Sequence, residues 1–166
     1  MKIVYTLFSF FILQTIISQT TVKSKTYGNL DFKELDYGQA NVKGGKSEEL
    51  SNSPTGSHRW LEDFVIIKKT DSIQAVKKAN FGVVYIVTAK DTVNINIDIE
   101  WIYPEKMVND KGEKFKGIRY TTKRPTNIAS ASSYSLDEPY ELIKGNWQMN
   151  IFIENKRVYS KSFILY

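Results

Sequence analysis

A chain of 166 residues, 42% hydrophobic and 25% charged, has the apolar content for one core, and its lack of cysteine excludes disulfide staples, thiolate metal sites and a cysteine-borne lipid anchor. The formal charge of +5 is too mild to point to nucleic acid by itself. Such a domain must hold together by burial alone.

Met1-Lys2 is a short basic start, Ile3 to Ile17 is mostly apolar, and Ser18-Gln19-Thr20 is small and polar, the order of a secretory signal peptide. The apolar run is interrupted by Thr6, Ser9, Gln14 and Thr15 and falls short of the ~20 residues that a membrane span needs. Residues 1–19 are therefore expected to be a cleaved signal, leaving an exported, periplasmic or secreted product with no membrane span. Residues 27–166 are expected to form one domain.

Tyr27 to Val42 reads as a first strand region, with Leu30, Phe32, Leu35 and Tyr37 set among charges. Residues 44–58, "GGKSEELSNSPTGSH", are nearly free of apolar side chains and read as a long mobile loop. "WLEDFVIIKK" (Trp60 to Lys69) resumes as a strand, and "FGVVYIVTA" (Phe81 to Ala89), apolar on both parities, reads as a central strand covered on both faces.

In "DTVNINIDIEWIYP", Val93, Ile95, Ile97, Ile99, Trp101 and Tyr103 share one parity, while Thr92, Asn94, Asn96, Asp98 and Glu100 take the other. Alternation of this kind gives a strand with one dry and one wet face. "NDKG" (Asn109 to Gly112) turns the chain, and strands follow near Phe115 to Thr122 and Ile128 to Leu136. Pro54, Pro104, Pro125 and Pro139 are placed in loops or at strand ends.

The chain closes with a hairpin. Trp147, Met149, Ile151 and Ile153 share a parity, Glu154 to Arg157 supplies the turn, and a bulge between Val158 and Phe163 lets Val158, Phe163 and Leu165 all face inward. About seven short strands and no amphipathic helix predict an all-β, antiparallel β-sandwich.

"SLDEPYELIKGNWQMNIFIENKRVYSKSF" resembles the closing signature of an uncharacterised bacterial family, domain of unknown function thirty-eight fifty-nine, through Asp137, Glu138, Pro139, Tyr140, Glu141, Leu142, Gly145, Trp147 and Phe163. "TDSIQAVKKANFGVVYIV", "WIYPE" with "GEKF", and the early "YGQA" extend the resemblance across most of the chain after the signal. It departs from the family in its long 44–58 segment and at Tyr140, where Trp is more frequent. The resemblance implies an exported, immunoglobulin-like sandwich and brings no activity with it.

Chemistry is sparse. The one histidine, His58, falls in the segment read as a loop, a poor place to preorganise a general base. "GGKS" (Gly44 to Ser47) lacks the first glycine and the helix of a phosphate loop, because Ala40 stands where that glycine belongs. Asn94, Asn96, Asp98 and Glu100 read as a solvated face rather than a cation site, since same-face neighbours on a strand stand about 6.6 Å apart. No motif calls for a cofactor or a metal.

Two features stand out as binding candidates. The corner Asp137-Glu138-Pro139-Tyr140 sets two acids beside an aromatic ring, although acids there can serve simply to fix the turn. Glu105 to Arg124 holds seven basic residues against three acids, with Arg119, Lys123 and Arg124 flanking Tyr120, a set able to grip an anionic glycan or an acidic protein surface.

These features favour a non-catalytic exported binding or accessory domain whose partner is an envelope or extracellular protein, or an anionic glycan. A carbohydrate-binding module is the alternative, and it requires exposed coplanar rings from Tyr120, Tyr134, Tyr140 and Phe152. A carboxylate-based hydrolase requires a cleft holding Asp137, Glu138 and a third acid.

Overall fold

The computed structural model describes residues 19–166, so the expected signal lies outside the described residues except for Gln19. Ten strands run through them: β1 (Gln19–Ser24), β2 (Gly28–Glu49), β3 (Ser57–Lys68), β4 (Ser72–Ile73), β5 (Asn80–Thr88), β6 (Asn94–Val108), β7 (Lys114–Pro125), β8 (Ser130–Ser135), β9 (Gly145–Ile153) and β10 (Lys156–Leu165). A single 3-10 turn, Pro139–Glu141, links β8 to β9. The first sheet has the order β1-β2-β5-β8 with β3 also on β2, and the second has the order β4-β10-β9-β6-β7. The pairings are antiparallel except β4 with β10, which is parallel.

The sheets face each other because alternation in both leaves one dry side. On β6, Ile95, Ile97, Ile99, Trp101 and Tyr103 are buried as their parity predicts. Val93 is the exception; it precedes the strand and is exposed. On β9, Trp147, Met149, Ile151 and Ile153 point inward. Phe81 stands at the centre, its ring 5.5 Å from Trp101, 6.0 Å from Trp147 and 5.1 Å from Phe163, in the tilted and edge-on contacts that aromatic quadrupoles favour.

β5 is a central strand, paired with β2 on one side and β8 on the other. The closing hairpin turns on Glu154 and Asn155, both at positive φ. Its register shifts between Arg157 and Tyr159, so Val158 is the extra residue and the bulge begins one position earlier than the parity argument placed it. Pro104 departs from expectation, lying within β6 where pairing with β7 breaks between Ile102 and Met107. At such a break its missing N–H removes no ladder bond.

The largest difference concerns residues 44–58. These are not one long loop: β2 continues to Glu49, β3 starts at Ser57, and only Leu50 to Gly56 turns. β2 pairs with β5 only as far as Gln39, whereas it pairs with β3 from Gln39 to Glu49. The β2–β3 hairpin is thus a two-stranded arm reaching past the end of β5. At its base Gly38 takes φ 144°, and a Cβ there would stand 2.1 Å from the Lys68 carbonyl oxygen.

An isolated two-stranded ribbon is marginal in water. This one is docked. Asn52 donates its amide to the Arg119 carbonyl at 3.0 Å, and the Pro54 carbonyl accepts from the Asn109 amide at 3.1 Å and the Tyr140 hydroxyl at 3.3 Å. Polar side chains and few apolar ones suffice for such an arm, which is why its composition imitates a loop.

Candidate functional site

Between the arm and the sandwich body lies an open cleft of about 250 Å³. The arm supplies one wall through Val42, His58, Arg59 and Leu61. Trp101 of β6 with Ile118 and Tyr120 of β7 form the floor. The opposite wall is the corner after β8, with Tyr134, Ser135, Asp137, Glu138 and Glu141.

One residue of the floor has an unsatisfied donor. Trp101 is 1% exposed, and its indole N–H meets no acceptor among the described residues. Trp147, buried equally deeply, donates to the Ile143 carbonyl at 2.8 Å. A buried donor without a partner carries a cost of about 1–3 kcal/mol, so the Trp101 N–H is an exception in an otherwise satisfied core.

The corner is built by Glu141, 2% exposed. Its Oε2 accepts the backbone N–H groups of Asp137 and Glu138, each at 2.8 Å, and its Oε1 accepts the Tyr134 hydroxyl at 2.9 Å. Burial pushes its carboxyl above the ordinary range, and the three hydrogen bonds pull the other way. The acid that fixes this turn is therefore Glu141, which leaves Asp137 and Glu138 free to face the cleft. Arg59 reaches Asp137 from the arm at 3.7 Å, both side chains being half open to solvent. Gly44 allows this, since a Cβ there would stand 2.2 Å from Arg59 Cδ.

His58 is not on a mobile loop. It lies on β3, its ring 4.6 Å from Tyr120 and 5.2 Å from Trp60, and burial, then the Arg124 guanidinium, lower its pKa below the ordinary value. Among the described residues its ring takes no hydrogen bond, so no hydroxyl is held for activation.

Strand alternation splits the basic candidates. Tyr120 and Arg124 face the first sheet and the arm, Arg124 standing 5.4 Å from the Trp60 ring and donating to the Thr122 hydroxyl at 2.9 Å. Arg119 and Lys123 are exposed on the other face. Arg119 donates to Asp98 at 2.8 Å and lies 4.0 Å above the Phe152 ring. The four residues therefore do not form one grip. Tyr120, Asp137 and Glu138 do meet in the cleft, while Tyr140 sits behind it, bonded to the arm tip.

The aromatic platform is not assembled either. Tyr120 and Tyr134 border the cleft between the sheets, whereas Phe152 lies on the far face beneath Arg119. On the wet face of β6, Asp98 also accepts the Thr121 hydroxyl at 2.7 Å, and Glu100 accepts the Asn150 amide at 2.8 Å. Among the described residues no group of three or more His, Cys, Asp or Glu side chains is placed to hold a metal ion. No helix among them is long and apolar enough to cross a membrane.

Among solved structures the chain is similar to an immunoglobulin-like protein from Pseudomonas aeruginosa, at 19% identity and a TM-score of 0.58, over 79% of this chain and 90% of that one. At that identity the likeness shows the fold, an immunoglobulin-like sandwich. A weaker likeness, at 13% identity and a TM-score of 0.37 over 57% of this chain and 27% of that one, is to an alkylpurine DNA glycosylase from Pseudomonas fluorescens, too low to carry an argument. No curated protein matches the chain. The family described as Domain of unknown function (DUF3859) matches residues 31–165, nearly the whole described sandwich, and the chain belongs to that family.

Proposed function

We propose that this chain is an exported, non-catalytic binding module that takes its ligand in the cleft between the β2–β3 arm and the Asp137–Glu141 corner. The observation that carries this reading is that Trp101, a residue lining an open cleft, keeps a buried indole N–H without an acceptor among the described residues. A core optimised only for stability fills such a position with an apolar ring or gives the N–H a carbonyl, as it does for Trp147. Export rests on the order of charge and apolarity in the first twenty residues.

A hydrolase reading has one observation in its favour, the gathering of Asp137, Glu138 and Glu141 at one cleft. It is the weaker reading. Glycoside hydrolysis needs two carboxyls flanking the scissile bond, and here all three acids come from one corner, with both oxygens of Glu141 already committed to the turn.

The test is retention of the purified domain on isolated cell-envelope material. Trp101→Phe and Arg59→Ala are expected to lose retention, and Lys123→Glu on the outer face to keep it. The reverse pattern would move the binding surface to the outer sheet face and overturn the cleft.

A further inference from the structure

We infer that the cleft ligand is an uncharged saccharide, held through one sugar ring. The inference rests on the binding reading above and deepens it. The floor and the rim ask for opposite chemistry. On the floor, the Trp101 N–H meets no acceptor among the described residues, so the inner end of the ligand must accept a hydrogen bond. At the rim, Asp137 and Glu138 are partly open carboxylates that only accept, so the outer end must donate.

Charge then narrows the class. The cleft is lined by Asp137, Glu138 and Glu141 with one guanidinium, Arg59, at its rim, while Arg124 acts on His58 and Tyr120 from beside Trp60, and the lowered pKa of His58 keeps that ring neutral at neutral pH. An anionic glycan meets like charge at the rim, which removes the partner that the basic segment suggested. A bare cation satisfies the rim but offers the Trp101 N–H nothing. Hydroxyl groups both donate and accept, and a sugar ring carries them at both ends.

Shape agrees. Tyr120, Tyr134 and His58 give aromatic surface between the polar ends, suited to the C–H face of a pyranose. The volume of about 250 Å³ suits one ring, with the rest of the chain left outside. Recognition of one ring in a slot explains why no row of exposed coplanar aromatics is present among the described residues.

Trp101 supplies its own probe. The chain has three tryptophans, so the indole N–H region of a nitrogen-15 spectrum holds three signals, and Trp101→Phe identifies one of them. Glucose, N-acetylglucosamine, maltose and cellobiose are titrated in turn, with glucuronate and a blocked lysine-containing tripeptide as the charged probes. A saturable shift of the Trp101 signal with at least one neutral sugar, with the Trp147 signal still, is the expected result. In calorimetry, Asp137→Asn with Glu138→Gln should weaken that sugar about tenfold or more, the scale of lost hydrogen bonds to charged groups.

A response to glucuronate equal to that of the neutral sugars would overturn the charge argument. A response to the tripeptide alone would overturn the saccharide class and leave the cleft standing as a binding site. A Trp101 signal that no probe moves would remove both the inference and the cleft reading beneath it.

Discussion

The imidazole of His58, on the arm, packs against the phenol ring of Tyr120 on β7, with centroids 4.6 Å apart and planes inclined by 43°. This ring contact helps to hold the arm against the second sheet, beside the hydrogen bonds of the arm tip, and it involves the chain's one histidine.

The contact makes arm docking sensitive to pH. Burial, then Arg124, depress the folded pKa of His58 below 6.5. The unfolded chain therefore takes up the proton first. Stability from the contact is present above the unfolded value and is lost as pH falls through the folded one. Melts between about pH 7.5 and pH 5.5 should show a falling Tm that His58→Phe flattens. The ring is also a single resonance to titrate, and a midpoint at or above 6.5 would contradict the buried geometry.

Glu141 holds the corner through two backbone N–H groups and the Tyr134 hydroxyl. Glu141→Ala leaves two backbone donors without an acceptor and the Tyr134 hydroxyl with only the Tyr103 hydroxyl at 3.3 Å, and should cost about 3 kcal/mol in urea unfolding. Glu141→Gln retains an acceptor oxygen and removes a buried charge, so its cost should be about 1 kcal/mol. Equal losses in the two variants would mean that the corner is held by something other than these bonds.

The sandwich parity makes a graded prediction. Trp147 is fully buried, and Trp147→Ala should cost about 3–5 kcal/mol. Asp98, on the wet parity, reads in sequence as freely replaceable, but it accepts from both Arg119 and Thr121. Asp98→Ala should therefore cost about 1 kcal/mol, and Asp98→Ala with Arg119→Ala little more than the single change. Additive losses would show that the pair is not coupled.

How far the sequence reveals this molecule follows from what alternation records. Parity identifies β6, β9 and the core they build, because the inward parity of both strands is apolar; Ile102 and Val108, exposed on β6, and Asn150, buried on β9, are the exceptions. It fails on the arm, whose stability comes from a few hydrogen bonds at Asn52, Pro54 and Asn109 rather than from an apolar stripe. It also treats Trp101 as core, correctly, while the lack of a partner for one nitrogen depends on which residues surround it in space. Glu141 lies within the corner motif and yet its neighbours Asp137 and Glu138 draw attention first. Only its burial separates the structural acid from the two that face the cleft. Arg119 and Arg124, five positions apart, fall on opposite faces by the same alternation that fixed β6, so their separation was legible once β7 was taken as one unbroken strand.

Export has a direct check. β1 begins at Gln19 and pairs with β2, and its core contribution comes from Val22, buried at 3% exposure. Cleavage that leaves an N-terminus between Gln19 and Thr21 preserves Val22 and the Thr21 hydroxyl bond to Asp31. N-terminal sequencing of the native protein should start in that window. A start beyond Val22 would strip β1 from the sheet, and intact Met1 in a membrane fraction would refute cleavage.

The outer basic face provides the last discrimination. The exposed basic residues of 105–124 include Lys114, Lys116 and Lys123, which make no ion pair among the described residues; Arg119, also exposed, is bound to Asp98, and the half-buried Arg124 to Thr122 beside Trp60. Reversing the three lysines to Glu should change stability by less than about 1 kcal/mol, because exposed charges are strongly solvated. Reversing Arg119 and Arg124 should cost more, since each change turns an acceptor's partner into a repelling charge or breaks the packing on Trp60. If the cleft is the recognition site, the lysine variant keeps its envelope retention, and wild-type retention varies little from low to physiological salt. Retention that collapses in the lysine variant, or that falls steeply as salt screens charges beyond about 10 Å, would place recognition on the outer face instead.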